Sequence, residues 1–281
     1  MDQQLGCQME KTMKRNFWRL SVIGFFLVYM IVPLIATIAF SFATRWDRTI
    51  FPEGLTMQWW VAATARRAFL SALQNTLILS LATMVFSVIL FTPTAYWAHQ
   101  RVPRARPLLE LMTILPFGIP GVVLALAILH TYSRISGQFV HSPAMLVLAC
   151  MVIAQPFMYR PLINALNAVD VRTLTEAALT LGASWPTLLM RVIIPNILPG
   201  ILSGALLVFS LVFVEFTLAN LLVGARFKTF PIYLVEFTRF DGRQASALAV
   251  ISFIIAWLTS LALIWLAGRT GQKREEAIGA R

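Results

Sequence analysis

NAVDVRTLTEAALTLGASWPTLLMRVIIPN, residues 167–196, is the one long polar connection in a chain made mostly of apolar runs. Its local chemistry is orderly. Thr173 and Glu176 stand at the spacing of a capping box. Glu176, Ala177, Ala178 and Leu179 are good helix formers. Gly182 fits a left-handed helix stop, and Ser184 can cap a second short helix whose first turn tolerates Pro186. Pro195 and Pro199 punctuate the return to the membrane. The stretch therefore predicts a helix, a glycine stop and a second helix, between two apolar segments.

Those neighbours set the class of the whole chain. A spanning helix needs about 20 mostly apolar residues, because the hydrocarbon core is about 30 Å thick. Six stretches qualify, at about 17–42, 73–97, 108–132, 144–166, 197–223 and 245–267. Of the 281 residues, 58% are hydrophobic and only 12% charged, and the mean hydropathy is +0.76. Soluble domains carry about a quarter charged residues, so the natural solvent of this chain is lipid. The expected fold is all-α, a polytopic membrane protein of six transmembrane helices. Residues 1–281 form a single transmembrane domain, with no internal repeat and no low-complexity linker. The first stretch has a basic front but exceeds the ~7–15 apolar residues of a signal peptide, so it reads as an uncleaved span.

The net charge of +11 does not point to nucleic acid, since the basic residues sit in short clusters between spans and form no recognition motif. They report sidedness instead. Arg101, Arg104 and Arg106 crowd the short second connection. Lys11, Lys14 and Arg15 lie in the N-terminal tail, and Arg269, Lys273, Arg274 and Arg281 in the C-terminal one. These regions, and with them 167–196, are expected to be cytoplasmic, with both termini on that side. Arg45, Arg48, Arg66, Arg67, Arg226, Lys228, Arg239 and Arg243 on the other side make the bias moderate. Cys7 and Cys150 are too differently placed for a disulfide, and His99, His130 and His141 have no metal-ligand spacing. No catalytic constellation is found inside the spans, and no metal site.

Glu176-Ala177-Ala178, three residues, Gly182, nine residues, then Val192-Ile193-Ile194-Pro195 resembles the EAA loop of ABC importer permeases. The family pattern ends in I-x-L-P, so Val192 and Ile194 depart from it while staying apolar. Asn75-Thr76-Leu77-Ile78-Leu79-Ser80, Pro93-Thr94-Ala95-Tyr96 and Leu115-Pro116-Phe117-Gly118-Ile119-Pro120-Gly121 look like the same family. The resemblance covers most of the chain from about Leu70 onward. It implies a permease subunit of an ATP-driven, binding-protein-dependent importer in the bacterial inner membrane. Its 167–196 loop would be a cytoplasmic coupling helix in the groove of a separate ABC ATPase dimer. In that scheme Gly182 permits the bend, Ala177 and Ala178 allow close approach, and Glu176 orients the loop. The further partners implied are a second permease, identical or related, a periplasmic substrate-binding protein, and membrane lipid. No cofactor is expected on this chain. It has no phosphate-cradling glycine loop, so ATP and Mg belong to the partner ATPase. The look is nearest to permeases for polyamines, 2-aminoethylphosphonate and ferric iron.

Candidate pathway residues follow from cost. Glu215, an acid in the fifth span, is expensive at membrane depth unless it faces a pore or a partner. Asn220 lies five residues on. Pro116, Gly118 and Pro120 interrupt the third span, and such backbone lines a cavity or is buried in protein. Simple kinks and a hydrogen-bonded, packed Glu215 are the plainer alternatives. Phe227-Lys228-Thr229-Phe230-Pro231 resembles the family's outer loop before the last span, implying a place near the binding-protein docking surface; exposed aromatic and basic residues there equally suit the headgroup level. The rival class is an ATP-independent secondary transporter or channel, which would show paired intramembrane charges or repeat symmetry.

Overall fold

In the computed structural model the described residues are mostly helical. The backbone is described for residues 2–47, 49 and 51–279, and the side chains for 18–47, 49, 51–102, 104–262, 264 and 265. Lys11, Lys14, Arg15, Arg269, Lys273, Arg274 and Arg281, with Cys7 and Arg48, lie outside the described side chains. The helices run in order α1 (Asp2–Phe42), α2 (Gln58–Thr64), α3 (Arg67–Gln100), α4 (Arg106–Gly118), α5 (Gly121–Tyr132), α6 (Gly137–Val140) and α7 (Pro143–Asn167). Then come α8 (Val171–Thr180), α9 (Trp185–Thr187), α10 (Ile194–Asn196), α11 (Leu198–Phe213), α12 (Thr217–Leu222), α13 (Phe230–Thr238) and α14 (Gly242–Gly279). No strand occurs among the described residues, only one antiparallel bridge between Ala43 and Leu55.

Four helical segments are long and apolar enough to cross a membrane: Trp18–Phe42 of α1, α3, α7 and Gly242–Ala262 of α14. Two bent pairs raise the number to six if each is one span, namely α4 with α5, bent by 102°, and Trp185–Asn196 with α11, bent by 79°. The third expected span is thus not one straight rod. Pro120 disfavours helical geometry at the residue before it, and Ile119 is extended (φ −106°, ψ 112°). The helix stops at Gly118 and restarts at Gly121. The fifth expected span, 197–223, is also interrupted, between Phe213 and Thr217.

The chain divides into two compact units. One holds residues 1–65 and 237–251. In it the segment after α1 folds back on itself, with Thr44 N donating to Gly54 O at 2.9 Å and Glu53 N to Arg45 O at 2.9 Å. The Trp59 indole donates to Ala43 O at 2.9 Å, and the Arg243 guanidinium lies 4.2 Å over the Trp59 ring.

The other unit holds 66–236 and 252–281. Its core is the triangle of α3, α7 and α11, where Leu79, Leu146, Met158, Leu162, Val208 and Val212 are buried. Small residues bring these helices together. A Cβ at Gly200 would lie 2.4 Å from the Ala165 Cβ and 2.7 Å from Pro161 O, and one at Gly204 2.7 Å from the Met158 Sδ. At the end where α3 begins, Asn75 Nδ2 donates to Lys228 O at 2.9 Å and Phe230 N to Thr76 Oγ1 at 2.7 Å. Asn75-Thr76 therefore pins the loop before α13. Phe230 is buried against Phe69 and Tyr233, and Lys228 is paired with Glu236 at 2.7 Å. The expectation of exposed aromatics there fails for Phe230, because the loop uses that ring as its anchor.

Candidate coupling site

The polar connection forms a built element. α8 starts one residue after Asp170, whose carboxylate accepts from Thr173 N at 3.1 Å and from Thr173 Oγ1 at 2.7 Å. The cap is therefore Asp170 and not the expected Thr173–Glu176 box. Thr173 sits at the third helical position, and its hydroxyl is consumed by the cap. These two hydrogen bonds, the side-chain one foremost, hold the Asp170 carboxyl below its ordinary pKa. Glu176 turns outward and meets Arg172, one helical turn earlier, at 2.8 Å.

Helical spacing separates two faces of α8. Val171, Thr175 and Ala178 are buried, while Arg172, Glu176 and Ala177 are exposed. The two alanines of the motif thus do different things. Ala178 lets α8 lie close on the core, and Ala177 leaves room above the surface. Gly182 adopts φ +76°, a left-handed conformation that favours glycine. Ala183 N donates to Ala178 O at 3.0 Å and Gly182 N to Leu179 O at 2.9 Å, the paired bonds of a Schellman stop. Leu181, beside this turn, is 88% exposed. A leucine at that exposure on a rigid tip is a knob without a hole in its own chain.

The return segment is wound differently. Leu188–Ile193 is a π-helical run, a rare form concentrated at functional sites. Ile193 is buried, while Val192, Ile194 and Pro195 are half-buried. Asn196 Nδ2 donates to Val192 O at 2.7 Å. The apolar end of the motif is thus the root by which the element enters the core ahead of α11.

The second connection meets this element at the same end of the bundle. Tyr96 Oη lies 3.0 Å from Thr175 Oγ1, both buried. The Thr175 hydroxyl donates to Val171 O at 2.7 Å, which leaves Tyr96 as the donor. The Asn167 Oδ1 lies 3.1 Å from Arg106 Nη2 and 3.2 Å from His99 Nε2. The Arg101 guanidinium covers the Trp185 ring at 4.4 Å. A cleft of about 340 Å³ remains between Gln100 and Arg101 on one side and Arg172, Thr175, Glu176 and Leu179 on the other.

The candidate pathway residues lie elsewhere in the same unit. Glu215 is half-buried at the break between α11 and α12, and its Oε1 accepts from Leu218 N at 2.6 Å. The carboxylate thus caps α12, which explains how an acid is tolerated there. A Cβ on Gly121 would lie 3.6 Å from Thr217 Cγ2, so the two chain breaks adjoin. Asn220, Gly118 and Pro120 are exposed, and Pro116 is half-buried.

Over residues 92–274 the chain matches the family described as "Binding-protein-dependent transport system inner membrane component". The chain belongs to that family. The permease is 25% identical to the spermidine/putrescine transport system permease protein PotB of Salmonella typhimurium, across 95% of this chain and 98% of the relative. It is 24% identical to PotC of Escherichia coli K12, across 83% and 88%. Among solved structures it resembles a chain of a bacterial ABC transporter that imports the polysaccharide alginate (TM-score 0.72, 17% identity, 93% and 99% covered). It also resembles a chain of the MetNI methionine ABC transporter (TM-score 0.59, 16% identity, 72% and 95% covered). The protein is thus a multi-pass, non-catalytic inner-membrane permease of an ABC importer.

The motif alone did not single out Leu181, Tyr96, Arg101 or Asn167. An exposed leucine next to a helix-stop glycine was a readable signal. The contacts of Tyr96 and Arg101 join residues 79 and 84 positions apart and had none.

Proposed function

We propose that this permease builds one translocation pathway with a second permease, identical or related, and is driven through Glu176–Pro195 by a separate cytoplasmic ATPase dimer. ATP and Mg act on that dimer. A periplasmic binding protein delivers the solute, and both termini are cytoplasmic. The observation that carries this is the build of the 167–196 element. It is capped by Asp170, stopped by Gly182 and rooted through Ile193, and it projects Ala177 and Leu181 away from its own core. A rigid element with an outward apolar knob suits docking into a groove on another subunit.

The cargo we infer is a small polycation of the polyamine class. The curated relatives are named for spermidine and putrescine. Glu215 supplies a carboxylate at the break before α12, which adjoins the break before α5 through Thr217 and Gly121. The Leu218 and Thr217 amides both engage this carboxylate, and its two oxygens have lone pairs for further partners. The test is uptake of labelled spermidine into liposomes holding the complete importer, with putrescine, 2-aminoethylphosphonate and ferric iron as competitors. ATP-dependent uptake blocked by putrescine alone is expected, with a loss of at least tenfold in Glu215→Gln. Uptake indifferent to Glu215→Gln would remove that residue from the pathway. Competition by the phosphonate or by iron would replace the cargo class.

A further inference from the structure

We propose that the α3–α4 connection is a second arm of the coupling device, with Arg101 and Tyr96 as positioning residues that carry the movement of the docked loop into α3. This rests on the docking of 167–196 proposed for the permease and adds to it a route into the bundle. The loop already continues covalently into α7 and α11, but α3 is joined to it only by side chains. Those side chains are specific. Tyr96 donates a buried hydrogen bond to Thr175, on the inward face of α8. Arg101, one residue past the end of α3, stacks on Trp185, just beyond the Gly182 stop. Arg106 and His99 both reach Asn167, the last residue of α7.

These contacts bracket α8 at its start, its middle and its far side. A rigid-body shift of α8 must either break them or move the end of α3 with it. Tyr96–Thr175 is buried, so breaking it strands the Tyr96 hydroxyl without water, while Thr175 keeps its bond to Val171 O. The planar Arg101 guanidinium keeps its in-plane donors while stacked, so the stack can slide without being lost. The result is that α3 follows the loop. α3 packs along both α7 and α11, so a pull on its end reaches the centre of the bundle.

The test uses the complete importer in lipid nanodiscs and needs no cargo. Hydrogen exchange is followed by mass spectrometry, without nucleotide and after trapping with ATP and vanadate. The wild-type complex is expected to change protection both in 171–196 and in 94–102. In Arg101→Gln and Trp185→Leu the change in 171–196 should persist while that in 94–102 is lost. Arg101→Lys and Trp185→Phe, which keep a cation and a ring, should restore at least half of it. Tyr96→Phe offers a milder break if the first two complexes fail to assemble. A trapped-state change at 94–102 of wild-type size in the unclamped variants would overturn the proposal. A wild-type complex with no change in 171–196 would instead overturn the docking of the loop itself.

Discussion

At the scale of single residues, the proposed coupling element turns on Gly182 and Asp170. Gly182 holds φ +76°, and a Cβ built there meets nothing within 4 Å. The cost of replacing it is therefore one of backbone conformation, about 1–2 kcal/mol for an ordinary residue. Gly182→Asn should be tolerated better than Gly182→Val, since asparagine visits the left-handed region. Thermal denaturation of the purified complex should rank them in that order, and equal losses would point to a steric cause instead. Asp170 gives a pH dependence. Its folded pKa lies below the unfolded value, so its stabilisation is complete above the ordinary aspartate range near 4. It is lost as the pH falls through the lowered value. Asp170→Ala should thus lower the melting temperature at pH 7, and the difference from wild type should shrink steadily as the pH falls below about 4. The Glu215 carboxylate owes its place in an apolar segment to the Leu218 amide it caps.

At the scale of elements, the legible parts were those governed by local rules. The apolar runs located α1, α3, α7 and α14, because lipid exposure demands about 20 apolar residues whatever the rest of the chain does. The Gly182 stop was legible because its geometry needs only neighbouring residues. The α8 cap was misassigned because Asp170 and Thr173 both offered cap chemistry, and the longer helix won. The break at Pro120 was legible as an interruption, but its 102° bend depends on how α5 packs beside α12. Gly200 and Gly204 carried a small-xxx-small spacing that went unread. Their role appears only where α11 touches Pro161, Ala165 and Met158. Gly200→Leu should destabilise the bundle by at least the roughly 1–3 kcal/mol of an overpacked core. Adding Ala165→Gly should recover part of that in thermal unfolding, because the nearest atom to the new Cβ belongs to Ala165. No recovery would mean that the Pro161 carbonyl sets the limit.

At the scale of the whole molecule, the chain is a membrane permease whose proposed docking element is the 167–196 connection. Its surface along α1 is apolar, with Trp18, Phe25, Phe26 and Tyr29 exposed, which suits lipid or a second permease. It belongs to a family of transport components that work as parts of assemblies. The central claim is that Glu176–Pro195 is where the driving subunit docks. A photoreactive benzoylphenylalanine in place of Leu181, in the complete importer, tests it most directly. Irradiation should yield a covalent adduct with the ATPase subunit. The same probe in place of Phe51, another highly exposed residue but one in the connection between the first two expected spans, should give none. An intact complex in which the Leu181 probe labels only lipid or solvent would contradict the account.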